Sequence, residues 1–401
     1  MKKVVDLFAG CGGLSLGFQN AGFSIIAAFE YWKTAAQCYE LNFRHPVFQD
    51  NLSNVRTIVS KLLPMSPDVI IGGPPCQDFS NAGNRIEAKR AGLTESFAQI
   101  VTKLRPNYFV MENVDRAEKS ISYARARQLF VQAGYGLTEI VLDASLCGVP
   151  QKRKRFFCIG ALDEKDGFLL REINAKLSNS PMTLRDYFGN TLDFEFYYRH
   201  PRNYSRRAIF SIDEPAPTIR GVNRPLPKGY PGHPNDSHKI DKSIRALTTL
   251  ERALIQTFPA NFKWVGSKTD MEQMIGNAVP VKLGEFVANR LMAYITNRER
   301  PDAVVDYSGF RLWLAQKSNL SLRTQRDVVS RLKRVNSIFP FTNDLNDYYT
   351  FQLISALQQR KIVPAVASHL KRSVKLYSQY LGTKKTKQDS AKSCYSYKSI
   401  K

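Results

Sequence analysis

Short apolar runs recur along the first 160 residues, and each closes in glycine, proline or a carboxylate. Val4-Val5 leads to a turn carrying Gly10, Gly12 and Gly13, Ser24–Phe29 stops at Glu30, and Val47–Phe48 stops just before Asp50. Val69, Ile70 and Ile71 end in Gly72-Gly73, residues 107–111 close in Glu112-Asn113-Val114, and residues 156–159 follow a basic run. Runs this short and this uninterrupted read as strands buried on both faces. Between them Leu14, Leu16 and Phe18 begin one helix, and residues 93–104 form another that Arg105-Pro106 terminates. Strands alternating with helices predict an α/β fold with a doubly wound sheet, whose ligands lie beyond the carboxyl ends of the strands. Residues 81–92 are polar and contain glycine, the composition of a mobile surface loop.

The pattern changes after residue 160. From 161 to 245 prolines, glycines and aromatics interleave with basic residues, as in FEFYYRHPRNYSRR (194–207) and TIRGVNRPLPKGYPGHP (218–234). That predicts a small, irregular, loop-rich domain. Residues 246–296 regain helical periodicity through Leu283, Phe286, Val287 and Leu291. A second helical pattern runs from 304 to 381, with Phe310, Trp313, Leu314, Val328, Leu332 and Val335 at helical spacing. The polar, lysine-rich stretch 382–401 is expected to be a disordered tail.

Charge narrows the class of partner. The 401 residues carry 58 Lys and Arg against 35 Asp and Glu, a net charge of +23 that points to nucleic acid. Residues 302–401 hold 18 basic and 6 acidic side chains, +12 on a quarter of the chain. No apolar run approaches the roughly 20 residues that span a bilayer. The start Met-Lys-Lys enters a strand directly, so a cytoplasmic protein without a membrane partner is expected. Six scattered cysteines without a C-x-x-C pair, and five histidines without H-E-x-x-H, give neither metal site nor disulfide framework any support.

The candidate chemistry sits at the strand ends. In DVIIGGPPCQDFS (68–80), Pro74-Pro75 present Cys76 beyond a buried strand, as a nucleophile or as a structural thiol. Glu112 ends a strand that could be the neighbour. Arg153 and Arg155, two apart in an extended segment, project from one face and suit a phosphate or a base edge. The glycine turn lacks G-x-G-x-x-G spacing, yet followed by Glu30, Tyr31 and Asp50 it describes a pocket for a nucleotide-like cofactor. A G-x-x-x-x-G-K-[ST] loop is absent, which argues against nucleoside triphosphate chemistry.

DLFAGCGG, Glu30, GPPCQDFS, ENV, QKRKR and GNAVP (276–280), in this order, resemble the cytosine-C5 DNA methyltransferase family over residues 1–296. The loop PPCQ differs from the [DSN]-P-P-[YFW] loop of enzymes that methylate exocyclic amines. The resemblance implies a Rossmann-like S-adenosylmethionine-dependent methyltransferase fold. It would comprise a catalytic domain (1–160), a target-recognition domain (161–245) and a return segment completing the catalytic domain (246–296), with the C-terminal helical extension (304–381) lying beyond the resemblance. It implies that Cys76 adds to C6 of cytosine, that Glu112 contacts N3 and the exocyclic amine, and that Arg155 holds O2. Arg153 would lie near the attacking loop or a phosphate. For S-adenosyl-L-methionine it implies Phe8, Gly10, Gly12 and Gly13 around the methionine and adenine, Glu30 on the ribose and Tyr31 on the adenine face. Asp50 would meet the adenine amine, with Pro75, Leu93 and Asn277 completing the pocket. The expected partners are double-stranded DNA, with the target base flipped out, and a cognate restriction endonuclease. A tRNA cytosine-C5 methyltransferase of the same fold and a catalytically silent DNA-binding regulator are the alternatives.

Overall fold

The computed structural model describes residues 1–75, 87–201, 203, 205–299, 306–316, 320–339, 353–354, 356–358 and 360–396. They form two compact units, Met1–Tyr294 and Ile295–Lys401. The first is built on a seven-stranded sheet. Its strands are β1 (Lys3–Leu7), β2 (Ser24–Phe29), β3 (Val47–Phe48), β4 (Val69–Gly72), β5 (Tyr108–Val114), β6 (Tyr135–Asp143) and β8 (Lys154–Leu162), in the order β3-β2-β1-β4-β5-β8-β6. β1 to β5 pair in parallel, and β8 runs antiparallel between β5 and β6. The chain winds outward from β1 in both directions, through β2 on one side and β4 on the other. A crevice therefore opens beyond the carboxyl ends of β1 and β4.

Helices α1 (Gly13–Asn20), α2 (Lys33–Glu40), α3 (Val55–Leu62), α4 (Glu87–Leu104) and α5 (Ile121–Gln132) follow the strands. α4 starts at Glu87, so residues 87–92 are helical and not part of a surface loop, while 81–86 lie outside the described residues. The apolar strands pack as their pattern requires. On one face Val5, Leu7, Ile70, Phe109 and Met111 meet Phe97, Val101 and Phe130 from the helices. Phe109 anchors this layer, with its ring stacked on Phe130 at 4.1 Å and Phe97 edge-on at 6.3 Å.

Segment 161–245 contributes β9 (Phe196–Tyr198) and β10 (Ile209–Ser211), an antiparallel pair, and β11 (Ala216–Pro217), which pairs in parallel with β7 (Gln151–Lys152). Tyr198, Ala208, Ile209, Tyr230 and Ile244 form its own small core. Leu184, Tyr197, Phe210 and Ile219 instead share a cluster with Ala28, Tyr39, Phe258 and Met274. The segment is thus seated on the sheet and on the return helices α8 (Thr249–Ile255), α9 (Lys268–Asn277) and α10 (Val281–Glu299).

The second unit packs α11 (Tyr307–Ala315), α12 (Leu322–Ile338) and α13 (Pro364–Ser396) around Phe310, Leu314, Val328, Leu332, Leu370, Val374 and Tyr377. The helical spacing read from the sequence is realised here. α13 runs through Gly382 to Ser396, where a disordered tail was expected. One isolated glycine costs a helix only about 1 kcal/mol, and no proline interrupts this stretch after Pro364. Phe109→Ala, which empties the centre of the first unit, is expected to cost about 3–5 kcal/mol. A lowered urea midpoint of the first unit's unfolding transition would register it.

Candidate functional site

A cavity of about 600 Å³ occupies the crevice at the carboxyl ends of the strands. One wall is the turn after β1. Phe8, a lining residue, has φ +64°, a left-handed conformation rare for a bulky side chain and characteristic of strained functional turns. Its neighbour Gly10 donates its N–H to Glu30 Oε2 at 2.7 Å, and Trp32 N–H meets Glu30 Oε1 at 2.7 Å. The carboxylate is thereby fixed across the mouth of the turn, and burial pushes its pKa up. Tyr31, 72% exposed, and Trp32 both line the cavity. Gly13 lines it as well, but the space beside its Cα is closed, since a Cβ there would lie 2.3 Å from the Val279 carbonyl oxygen. The GNAVP segment thus packs directly on the glycine turn and brings Asn277 to the cavity.

Asp6 lies deepest. It is 1% exposed, accepts a hydrogen bond from Ser15 Oγ at 2.6 Å on Oδ2, and its Oδ1 has no partner in the protein. Ser15 Oγ in turn accepts from Tyr39 OH at 2.6 Å. Burial raises the Asp6 pKa to about 8, with the Ser15 hydrogen bond opposing the rise. A buried carboxyl on a cavity-lining residue, with one oxygen lacking a protein partner, suits a cation or a donor.

The opposite wall is assembled from β4, β5 and β8. β4 and β5 are adjacent and parallel, so Gly73-Pro74-Pro75 and Glu112-Asn113-Val114 emerge side by side. Asn113 Nδ2 donates to the Pro74 carbonyl at 3.0 Å and braces the proline turn. Glu112 pairs with Phe157 across the antiparallel ladder, which puts Arg155, two residues away, on the same face and diagonal to it. Arg155 Nε meets Glu112 Oε1 at 3.0 Å, and both side chains are largely buried. Burial raises the Glu112 pKa, while Arg155 first and Arg153 second hold it back. Cys76 lies outside the described residues. Pro75, the last described residue before it, and Leu93 of α4 both line the cavity.

Three expected site residues sit elsewhere. Arg153 is 1% exposed and does not reach the cavity. Its guanidinium donates to the carbonyls of Ile219 (2.8 Å), Gly276 (2.9 Å) and Ala278 (3.0 Å), tying three distant stretches of backbone together. Asp50 is turned away into an ion pair with Lys61, and its neighbours Asn51 and Leu52 line the cavity instead. Gly12, at φ +99°, packs against Phe43 and is a hinge of the turn, not a wall of the cavity. Conversely, Asp6 and Cys11 line the cavity without having been singled out as binding residues. Asp6 carried a signal: an acid inside the apolar run Val4-Val5-Asp6-Leu7 is costly unless a site uses it.

Two measurements follow from these environments. Between pH 4 and pH 8 folded Asp6 keeps a proton that the unfolded chain has lost, so folding stability falls as pH rises through this window. Asp6→Asn is expected to remove that slope, read from urea midpoints at pH 5 and pH 8. Arg155→Met removes the largest influence holding the Glu112 pKa down, so the Glu112 titration followed by carbon-13 NMR is expected to move upward.

The sequence model of the C-5 cytosine-specific DNA methylases matches residues 2–293. The Type II methyltransferase M.HindV of Haemophilus influenzae is 57% identical over 294 residues, 73% of this chain and 97% of that protein. M.HgiDI of Herpetosiphon aurantiacus is 53% identical over 73% of this chain and 95% of its own length. Among solved structures, the S. pombe Dnmt2 methyltransferase superposes with a TM-score of 0.55 at 17% identity, covering 73% of this chain and 99% of that one, a likeness of fold. Through its family match, its close relatives and its sheet, the chain belongs to the C-5 cytosine-specific DNA methylase family.

Proposed function

We propose that the chain methylates C5 of a cytosine within one short sequence of duplex DNA, and that it is the modification half of a restriction–modification pair. The observation that carries the mechanism is the buried Glu112–Arg155 pair, held at 3.0 Å beside the proline turn at the cavity rim. S-adenosylmethionine supplies an electrophilic methyl group on a sulfonium. The cavity fits such a ligand in volume and in chemistry. The open oxygen of Asp6 suits an ammonium group, Glu30 keeps lone pairs for ribose hydroxyls, and the rings of Tyr31 and Trp32 suit a flat base.

The protein's own residues do the rest. The C5 carbon of cytosine is too weak a nucleophile to take a methyl group unaided. In this reading the Cys76 thiolate adds to C6, which moves electron density onto C5. Glu112, whose pKa burial raises, lies where it can contact N3 and stabilise the charge that develops there. Arg155, anchored on Glu112, offers its remaining donors to O2. After C5 takes the methyl group, loss of the C5 proton expels Cys76 and restores the aromatic ring. Since the reacting carbon lies inside a duplex, the base must leave the stack to reach the cavity. The interleaved basic and aromatic residues of 161–245 support sequence reading by that segment.

The Type II relatives support pairing with an endonuclease and work on genomic DNA in the cytoplasm. Among the described residues no helix is long and apolar enough to cross a membrane, and no cluster of side chains suits a metal ion. Expression in a bacterium devoid of cytosine methylation, followed by conversion sequencing, is expected to show 5-methylcytosine in a single short context. Cys76→Ala is expected to abolish that signal while S-adenosylmethionine binding persists. A Cys76→Ala protein that still methylates would overturn the mechanism.

A further inference from the structure

The unit 295–401 lies beyond the family match, which ends at residue 293. M.HindV aligns over 97% of its own length with only 73% of this chain, so that relative has no counterpart of this size for the extra unit. What the unit adds must be read from its own surface. α12 is amphipathic, with Gln325, Val328, Val329, Leu332 and Val335 facing the core and Arg323, Arg326, Ser330, Lys333 and Arg334 exposed. From Arg323 to Lys333 the exposed stripe spans roughly 15 Å of helix at 1.5 Å per residue. One acid, Asp327, lies on this side, and it is spent on Arg331 at 3.8 Å. α13 repeats the pattern, with Ser368, Arg372, Lys375 and Gln379 exposed and no acidic residue between 364 and 388.

A concentrated cationic stripe on a chain already at +23 is held apart only by its own rigidity, and self-repulsion makes it costly unless an anion neutralises it. α12 contains no aromatic residue, so it offers no platform for stacking unpaired bases. Arg forks and a Lys head over about 15 Å match a run of regularly spaced phosphates. We propose that the exposed face of α12 binds the phosphate backbone of duplex DNA without reading its sequence. This rests on duplex DNA being the enzyme's substrate. Its consequence is that the enzyme stays on long DNA between methylation events.

The test uses the full chain and a duplex made only of adenine and thymine, which offers no cytosine to the catalytic unit. Binding is measured across a salt series for wild type, for Arg323→Gln/Arg326→Gln/Lys333→Gln and for Arg323→Lys/Arg326→Lys. Each lost phosphate contact lowers the salt slope by about 0.9, so the Gln triple variant is expected to lose about 2 to 3 in slope and on the order of tenfold in low-salt affinity. The Lys variant is expected to keep both, because a backbone contact needs charge and not a fork. Turnover at saturating specific duplex is expected to be unchanged in both variants. Unchanged affinity and slope in a Gln triple variant of normal helical content would overturn the proposal and leave α12 to a protein partner or to solvent. Equal losses in the Gln and Lys variants would overturn it too, since they would mark a structural role. A wild type that methylates no duplex would count against the catalytic reading, and the salt slope would still report on α12.

Discussion

The guanidinium of Arg153 is the interaction on which the first unit depends. Its donors meet carbonyls at residues 219, 276 and 278, so one side chain joins the end of β7, the segment seated on the sheet and the returning chain. Gln151 reinforces the joint, giving Nε2–H to Gln256 Oε1 at 2.7 Å and accepting from Ile219 N–H at 2.9 Å. Burying a cation costs several kcal/mol, and burial does push the Arg153 pKa well down. Charge-assisted bonds of about 1.5–3 kcal/mol each, together with the nearby Glu112 carboxylate, offset that cost. The arrangement has a geometric consequence. Two of the carbonyls that Arg153 holds, those of Gly276 and Ala278, belong to the segment that closes over Gly13 and carries Asn277, so this joint braces a wall of the cavity.

The electrostatics of the cavity point the same way at three places. Asp6, Glu30 and Glu112 are all raised by burial, and only Glu112 has an arginine beside it. A site with carboxyls short of compensation favours a cationic ligand, whose arrival would lower the Asp6 and Glu30 pKa values toward ordinary carboxylates. At the other wall Arg155 opposes the effect of burial on Glu112 without cancelling it, so the Glu112 pKa stays raised. One cavity is thus lined by Asp6 and Glu30, raised by burial, and by Glu112, held by Arg155.

The strand ends were legible because parallel sheets write themselves as apolar runs with abrupt stops. Val69 to Gly72 and the run ending at Glu112 are such runs, and their adjacency brings Pro75 and Glu112 to one rim. Arg155 was legible for a related reason: a residue two away from a ladder partner shares its face. That Asp50 pairs with Lys61 and Arg153 binds buried carbonyls was not legible, because a charged residue at a strand end looks the same whether it faces a ligand, a counter-ion or backbone. The start of α4 at Glu87 was missed because polar residues with one glycine also suit an exposed helical turn.

The linear sequence by itself determined the family, the apolar runs that become β1 to β5 and β8, and the helical spacing within α11 and α12. These depend on local periodicity and on residue types whose meaning survives without neighbours. The tertiary structure alone decided which oxygen of Asp6 is left open, that Asn51 and Leu52 displace Asp50 at the cavity, and that Gly13 serves the Val279 carbonyl. It also decided that Arg153 is a joint and not a wall of the site. Each of these turns on a contact between residues tens to hundreds of positions apart or on a side chain's direction, and neither is encoded in spacing along the chain.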